Sequence, residues 1–400
     1  MNAIWLDRGC QTQTCRWGPG CPAAEERNRA EGLGARVAAR VAEKLLPAPG
    51  LADVVVTERC NHRCDYCFVK GKNDVRSMWP QTAEAAVEFM LRASRDAKVV
   101  HFVLFGGEPL VVFDLIRHLV DYAQLRSGSD KVVRFDMTTN GTLMTEEMAA
   151  FLSARGIKYL LSVDGGKETH DAQRKLVGGG SSFDEVMSRL PMMKRYQPWQ
   201  GSRVTVHPES ARDLYEGVRL LYGRGINQFI IGPATGIEWT DEALAEYERQ
   251  MQLVTDLYVE LKAKRAPFRM TLYEKDLDAK KGAAVGKWGC GAGRGRLCIG
   301  TNGDLYGCAK ILGVSRGAEV HKLGDVWTGI TNVRARRDLL NCHPQARPKC
   351  AACEWHDECS GGCPATNWEA TGSIFQPAPL ECRFMEVLQR VKTYYHARLE

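Results

Sequence analysis

The chain has 400 residues, of which 44% are hydrophobic and 26% charged, and its net charge of +6 is not gathered into Lys/Arg runs. A chain of this size buries one large core and a smaller one, and the absence of a basic patch argues against a nucleic-acid partner. No apolar run approaches the ~18 residues of a membrane span, and the first residues lack the pattern of a signal peptide. We therefore predict a globular, cytoplasmic protein with no membrane partner.

The N-terminal segment, residues 1–50, contains Cys10, Cys15 and Cys21. Their spacing matches no site that we can name, so a structural role and a further metal-binding or substrate-facing role both stay open. An Ala-, Arg- and Glu-rich stretch over 23–46 predicts a helix. The chain has 15 cysteines in all, and in a reducing compartment metal binding or redox chemistry explains so many better than a disulfide framework does.

Residues 51–240 alternate between β-branched apolar runs and helix-spaced patterns, which is typical of β-α units around a parallel sheet. We predict strands at 51–56, 99–105, 132–138, 159–163, 203–206 and 229–232. The predicted helices between and after them are 82–95, 114–124, 146–155, 213–222 and 242–265. The fold class is therefore α/β, a partial (β/α)6 TIM barrel, with 241–285 as a helical bridge.

Three cysteines follow the first strand in a C-x3-C-x2-C pattern, Cys60, Cys64 and Cys67. Three thiolates leave one iron of a four-iron cluster open, and an open metal position is where chemistry takes place. Active sites of α/β folds lie at the C-terminal ends of strands, as this loop does. Half of a zinc site, or free thiols, is the alternative. His62, inside the loop, is expected to pack there rather than bind metal.

Residues 286–385 are rich in Gly and Cys, with predicted short strands at 297–300 and 304–306. A core this small needs bound metal to be stable. A last helix is predicted over 383–397, and 386–400 forms the C-terminal helical segment.

These motifs resemble those of radical S-adenosylmethionine (SAM) enzymes. The resemblance rests on the cysteine triplet after the first strand and on Gly106-Gly107-Glu108-Pro109 after the second. It implies that Cys60, Cys64 and Cys67 are catalytic and hold a [4Fe-4S] cluster whose open iron binds SAM. The further residues that the resemblance places at SAM, some of which could equally be turn residues, are Tyr66, Gly106, Gly107, Glu108, Pro109, Asn140, Ser162, Arg174 and Arg203.

The later cysteines follow the pattern of the SPASM extension, which resembles a carrier of two auxiliary [4Fe-4S] clusters. By position, Cys290, Cys308 and Cys363 would bind the nearer cluster, completed by Cys298 or Cys342 or left with an open iron. The outer cluster would be bound by Cys350, Cys353, Cys359 and Cys382. The simpler expectation for Cys298 is that it is a buried cysteine in an apolar environment.

The resemblance implies three [4Fe-4S] clusters, SAM, and an external electron donor such as flavodoxin or ferredoxin. It predicts a peptide maturase that generates a 5'-deoxyadenosyl radical and forms an oxidised thioether or carbon-carbon cross-link in a ribosomally made peptide or protein. A sulfatase-maturating enzyme is the alternative, although Ala309 stands where that family has an Asp after the second auxiliary cysteine. From another class, the chain could be a zinc-binding interaction module. His207 and Asp171 are candidate acid or base groups.

Overall fold

The computed structural model describes residues 46–69, 76–274, 290–315, 319–343, 347–357, 359 and 361–399. The predicted N-terminal helix and Cys10, Cys15 and Cys21 lie outside these ranges. Within them, no helix is both long and apolar enough to cross a membrane.

The strands, in chain order, are β1 (Leu51–Thr57), β2 (His62–Cys64), β3 (Val99–Gly106), β4 (Val132–Thr139), β5 (Lys158–Ser162), β6 (Arg174–Leu176), β7 (Gln200–Val206), β8 (Ile226–Pro233), β9 (Arg269–Met270), β10 (Arg296–Ile299), β11 (Asp304–Tyr306), β12 (Gly324–Asp325) and β13 (Gly329–Ile330). The α-helices are α1 (Pro80–Ala93), α2 (Phe113–Arg126), α3 (Glu146–Ala154), α4 (Lys167–Gln173), α5 (Ser182–Tyr196), α6 (Leu214–Gly223), α7 (Asp241–Ala263), α8 (Ala309–Val314), α9 (Val333–Asn341), α10 (Pro348–Ala351), α11 (Pro364–Thr371) and α12 (Pro379–Ala397). Short 3-10 helices are Pro109–Val112, Pro208–Asp213 and Glu319–His321.

The described residues fall into two compact units. The first contains those of 1–59, 71–135 and 291–340. Its strands run in the order β13-β12-β11-β10-β1-β3. β1 is parallel to β3 and to β10, and antiparallel hairpin pairing continues from β10 through β13. The apolar run of β1 explains its central place, since Ala52, Val54 and Val56 are fully buried.

The second unit contains the described residues of 60–70, 136–290 and 341–400. Its strands run in the order β4-β5-β7-β8-β9, all parallel, and β2 pairs with β6 in a separate two-stranded sheet. Helix starts follow local chemistry: Ser181 accepts a hydrogen bond from the Asp184 backbone N–H at 3.0 Å, and Thr240 accepts one from Ala243 at 3.2 Å. Aromatic packing joins α12 to this unit, with the Trp239 and Phe384 rings 5.3 Å apart.

The predicted α/β fold with parallel strands is confirmed. The six predicted strands correspond to β1, β3, β4, β5, β7 and β8, and the two short C-terminal strands to β10 and β11. Neither β2, β6 nor α5 was predicted. The domain boundaries drawn from the sequence stay a prediction.

Candidate active site

The loop that carries Cys60, Cys64 and Cys67 is held by the short pairing of β2 with β6, in which Cys64 lies opposite Arg174. The three cysteines are in no disulfide among the described residues and are partly exposed. The backbone N–H of His62 donates to the Cys60 sulfur at 3.3 Å. His62 itself is buried, with Nε2 3.5 Å from the Thr142 hydroxyl. The loop therefore presents accessible sulfur atoms on an ordered backbone.

A buried carboxylate, Asp164, ties this loop to the strands behind it. Its side chain is fully buried and receives Arg174 Nε at 2.8 Å and Nη2 at 2.9 Å. The Tyr66 hydroxyl donates to the same carboxylate, and the Thr205 backbone N–H donates to it at 2.8 Å. The Arg174 guanidinium carbon also lies 5.4 Å from the centre of the Tyr66 ring. Four segments of the second unit meet at one carboxylate.

The charges in this network explain its pKa shifts. Burial disfavours the Asp164 carboxylate, but the Arg174 guanidinium outweighs burial and lowers the pKa of Asp164 below its ordinary value. Burial is also the main cause that raises the pKa of Tyr66, so this phenol stays protonated and donates. Two of the Arg174 nitrogen atoms are committed to Asp164, so its predicted contact with SAM stays a prediction with only part of the guanidinium available.

His170 belongs to the same buried region, and its Nδ1 accepts the Asp164 backbone N–H at 3.3 Å. Burial, followed by the nearby Arg174 charge, lowers the pKa of His170 from 6.5 to about 4, with Asp164 and Asp171 opposing the shift. Below pH 6.5 the unfolded chain therefore takes up a proton at this site before the folded chain does.

We expect the free energy of unfolding to decrease as the pH falls from about 6.5 to about 4, with His170 contributing up to about 3 kcal/mol of that loss. Urea unfolding at several pH values, compared between the wild type and His170→Asn, measures the effect. The variant should show the flatter pH dependence. Identical slopes for the two proteins would contradict the assignment.

Ser162 and Arg203 are neighbours across β5 and β7. Burial lowers the pKa of the Arg203 guanidinium. Its Nη2 lies 3.0 Å from the place where a Cβ at Gly232 would stand, so the glycine leaves room for it. Within the described ranges, the Arg203 side chain forms no hydrogen bond or ion pair. Of the two arginines predicted to bind SAM, Arg203 is thus the one whose guanidinium is not paired with a described carboxylate.

Asn140 follows β4 and contacts the cysteine loop. Its amide nitrogen donates to Asn61 Oδ1 at 2.9 Å, while its Oδ1 accepts from the Thr142 backbone N–H at 3.0 Å. Asn61 in turn donates to the Thr142 hydroxyl at 2.9 Å. These contacts give Asn140 a role in fixing the loop, and its predicted contact with SAM stays a prediction.

In the first unit, the Gly106-Gly107-Glu108-Pro109 run bends sharply after β3. Gly106 has φ +152°, and a Cβ there would lie 2.1 Å from the Thr57 carbonyl oxygen. At Gly107 the corresponding distance to the Arg59 carbonyl is 2.3 Å. Buried Glu108 accepts the Leu110 backbone N–H at 3.1 Å and so caps the following 3-10 helix, which begins at Pro109. Both glycines are required for the backbone to pass this closely.

Gly106→Ala should therefore combine an unfavourable φ with a backbone collision, whereas Gly128→Ala, at φ +60° with open space around the new Cβ, has the φ term alone. We expect the control to lose about 1 kcal/mol and Gly106→Ala to lose at least twice that together with SAM binding. Thermal unfolding and calorimetric SAM titration check this. Equal losses in the two variants would show that the bend tolerates a side chain.

The two candidate acid or base groups have structural contacts. His207 Nδ1 accepts the Glu209 backbone N–H at 3.3 Å at the start of a 3-10 helix. Asp171 accepts the Phe183 N–H at 2.9 Å and the Ser182 hydroxyl at 3.1 Å, next to the start of α5. Neither geometry favours proton transfer over capping.

Among the four cysteines of the second unit that are predicted for the outer cluster, Cys350 lies within electrostatic range of Cys353, Cys359 and Cys382. Burial raises the pKa of Cys350, and the charges of Cys359 and Cys353 raise it further. Burial likewise raises that of Cys382, with Lys349 opposing and Cys350 and Cys359 adding to the shift. The structure thus brings these four thiols into one neighbourhood.

The two candidates for completing the nearer cluster have different surroundings. Cys298 is fully buried in β10, where burial, then Asp53 and Cys308, raises its pKa. Cys342 is also fully buried, but its neighbours include Cys290 and Cys363, and its sulfur donates to the Ile374 carbonyl at 2.8 Å. The expectation that Cys298 is buried is confirmed, and the choice between the two stays open.

One backbone N–H points at a thiol in each of the three predicted cluster sites. Besides His62 to Cys60, Ile311 donates to Cys308 at 3.4 Å and Gly361 to Cys359 at 3.2 Å. Such N–H to sulfur bonds stabilise thiolates and tune iron–sulfur clusters. Among the described residues, no three His, Cys, Asp or Glu side chains surround one point closely enough to hold a single metal ion. Thiols that are in no described disulfide and that accept a backbone N–H fit iron–sulfur clusters, because a cluster distributes its thiolate ligands over several irons.

The sequence interpretation missed four side chains that shape this region: Asn61, Thr142, Asp164 and His170. Asp164 lies in the Ser162-Val163-Asp164-Gly165 segment at the end of β5, but its partners come from separate segments and have no sequence spacing that links them.

Comparison with known proteins agrees with this geometry. Residues 54–221 match the family model described as the radical SAM superfamily. The AdoMet-dependent heme synthase of Methanosarcina barkeri (strain Fusaro / DSM 804) is 25% identical over 356 residues, which is 83% of this chain and 96% of that protein. The mycofactocin maturase MftC of Mycolicibacterium smegmatis is 27% identical, covering 85% and 84%. A cysteine-type anaerobic sulfatase-maturating enzyme of Clostridium perfringens is 23% identical, covering 76% and 85%.

Solved structures share the fold. The structure described as native anSMEcpe with bound AdoMet has a TM-score of 0.74 at 18% identity and covers 87% of this chain and 98% of its own. Streptococcus suis SuiB bound to precursor peptide SuiA has a TM-score of 0.63 at 17% identity, covering 96% and 84%. The stretch 54–221 is therefore a radical SAM domain, and it is followed by a C-terminal region that is rich in cysteine.

Proposed function

We propose that this protein is a peptide maturase that forms an oxidised intramolecular cross-link, a thioether or a carbon-carbon bond, in a ribosomally made peptide. The observation that carries the proposal is the gathering of Cys350, Cys353, Cys359 and Cys382 in addition to the cysteine loop of Cys60. Oxidative bond formation releases a second electron, and a second cluster region can accept it. The relatives MftC, named a maturase, and SuiB, bound to a precursor peptide, support the substrate class.

Cys60, Cys64 and Cys67 would hold the [4Fe-4S] cluster, and Tyr66, Gly106, Gly107, Ser162 and Arg203 would bind SAM. With both groups bound, the site supplies a 5'-deoxyadenosyl radical that takes a hydrogen atom from carbon. The contribution of the chain is position: Asp164 fixes the Tyr66 ring, and the glycines let backbone groups approach a ligand closely. The guanidinium of Arg203 forms no ion pair with a described carboxylate and is available to a carboxylate ligand.

Two auxiliary clusters would supply an exit for the second electron, the nearer held by Cys290, Cys308 and Cys363 and the outer by Cys350, Cys353, Cys359 and Cys382. The substrate then loses one hydrogen atom to the radical and a second hydrogen as a proton and an electron, so a cross-linked product is two hydrogens lighter. An external donor such as flavodoxin or ferredoxin would deliver the first electron in the cytoplasm.

Two other activities have an observation in their favour. A sulfatase-maturating relative covers 76% of this chain. Ala309, however, stands at the position where that family has an Asp, and its side chain cannot act as a base. A neighbouring carboxylate, Asp53, accepts the Ala309 N–H at 3.4 Å and is already paired with Arg296 at 2.8 Å. A heme synthase covers 96% of its own length in the match, which makes a haem precursor the second candidate substrate.

The test is anaerobic incubation of iron-loaded protein with SAM, a reductant and a peptide encoded beside its gene, with Cys67→Ala as the inactive control. We expect 5'-deoxyadenosine and a peptide lighter by two hydrogens. A peptide that gains oxygen or loses hydrogen sulfide would favour formylglycine formation, and conversion of a haem precursor with an unchanged peptide would favour the second substrate. Colourless protein that binds zinc would instead favour a zinc-binding interaction module.

A further inference from the structure

Arg347 is a buried cation among the later cysteines of the second unit. It is 3% exposed. Its guanidinium donates to the Cys342 carbonyl at 2.9 Å, to the Cys342 sulfur at 2.7 Å, to the Ile374 carbonyl at 3.3 Å and to the Gly361 carbonyl. In the part of the chain that the structure describes, none of its partners is a carboxylate.

These partners are parts of the cysteine-bearing segments. The guanidinium also lies within electrostatic range of the Cys350 thiol. Gly361, which receives one of its N–H groups, donates its own backbone N–H to the Cys359 sulfur at 3.2 Å. Arg347 is therefore linked to Cys359 through one glycine and acts on Cys350 by its charge, and both cysteines are ligands predicted for the outer cluster.

A buried guanidinium is unfavourable unless an anion compensates it. With protonated thiols, the surroundings of Arg347 offer only dipoles: three carbonyl oxygens and neutral sulfur atoms. A cubane ligated by thiolates is an anion, and it becomes more negative by one charge when it is reduced. An iron–sulfur cluster at Cys350 and Cys359 is thus a counter-charge of the right sign in the right place.

We propose that Arg347 is the positioning residue that compensates the charge of the outer auxiliary cluster of Cys350, Cys353, Cys359 and Cys382 and raises its reduction potential. This inference rests on the auxiliary clusters of the proposed function. A nearby cation stabilises the reduced cluster more than the oxidised one, and hydrogen bonds to ligating sulfur act in the same direction.

The experiment compares full-length, iron-loaded wild type with Arg347→Met, Arg347→Lys and Lys349→Met. Lys349 is an exposed cation on the short helix α10, which follows Arg347, and its charge also acts on Cys382, so it serves as a comparison in which solvent screens the lost charge. Readouts are iron content, the midpoint potential of each cluster from EPR-monitored titration, and 5'-deoxyadenosine formation. We expect Arg347→Met to lower one auxiliary potential, Arg347→Lys to lower it less, and Lys349→Met to lower it less than Arg347→Met does. SAM cleavage at the first cluster should continue in all of them.

If Arg347→Met loads no outer cluster, thermal unfolding of the iron-free proteins decides. The proposal expects the iron-free variant to be at least as stable as the iron-free wild type, because the cation lacks its anion there. A marked loss of stability would make Arg347 a merely structural residue and overturn the proposal. Unchanged potentials in a fully loaded Arg347→Met would overturn it as well. Wild-type protein that shows only the first cluster would overturn the auxiliary clusters themselves, and this inference with them.

Discussion

Replacing Cys64 by Ala is expected to abolish cleavage of SAM by the reduced protein and to remove about four irons per chain. Cys64 lies on β2 opposite Arg174, so its loss removes a thiolate from an ordered loop without disturbing a hydrophobic core. The measurements are iron and sulfide analysis and chromatographic detection of 5'-deoxyadenosine.

The comparison variant is Cys353→Ala, at an exposed cysteine of the predicted outer cluster. It should also lose about four irons, yet still cleave SAM, because the cluster that binds SAM is intact. If Cys64→Ala retained cleavage, or if both variants lost it equally, the assignment of the first cluster to the loop would be wrong.

The second large effect is expected at Asp164. Asp164→Asn leaves the Arg174 guanidinium buried without its carboxylate, and the loss of one partner of a buried pair destabilises by about 3–5 kcal/mol. Asp184, which is exposed and pairs with Lys167, provides the matched control, and Asp184→Asn should lose about 1 kcal/mol or less. Urea unfolding of the iron-free proteins measures both.

A double variant separates the pair from its members. Asp164→Asn with Arg174→Met should be less destabilised than the sum of the two single variants, because neither charge is then left buried alone. SAM affinity should still decrease, since the Tyr66 hydroxyl loses its charged acceptor. Additive losses, or a loss in Asp164→Asn no larger than in Asp184→Asn, would contradict a buried pair at this position.

The elements that the sequence predicted well are those whose signal is local. The Val54–Val56 run gives β1, and helix-spaced apolar residues give α7. β2 and β6 were missed because each has three mostly polar residues and no period, and their pairing depends on residues about 110 positions apart. The helix α5 contains Pro191, which argues against a helix when only the sequence is read.

The residues of the candidate site likewise differ in whether a local sequence signal predicts them. Cysteine spacing identified the ligands because thiols are rare and their separations are characteristic. The partner of Arg174 was not predictable, since Asp164 reaches it only after β5, β6 and β7 have formed. Arg347 also had no sequence signal, because a single arginine near cysteines is ordinary until its burial is known.

The attachment of Tyr66 to Asp164, and of Asn61 to Asn140, bears on how iron enters the protein. Small zinc domains acquire their shape only when metal arrives. Here the loop that would hold the first cluster is fixed by hydrogen bonds that involve no sulfur atom. A carrier protein that delivers a preassembled cluster therefore meets an ordered binding loop. Loss of the first cluster should accordingly leave the loop of Cys60, Cys64 and Cys67 in place and ready to be refilled.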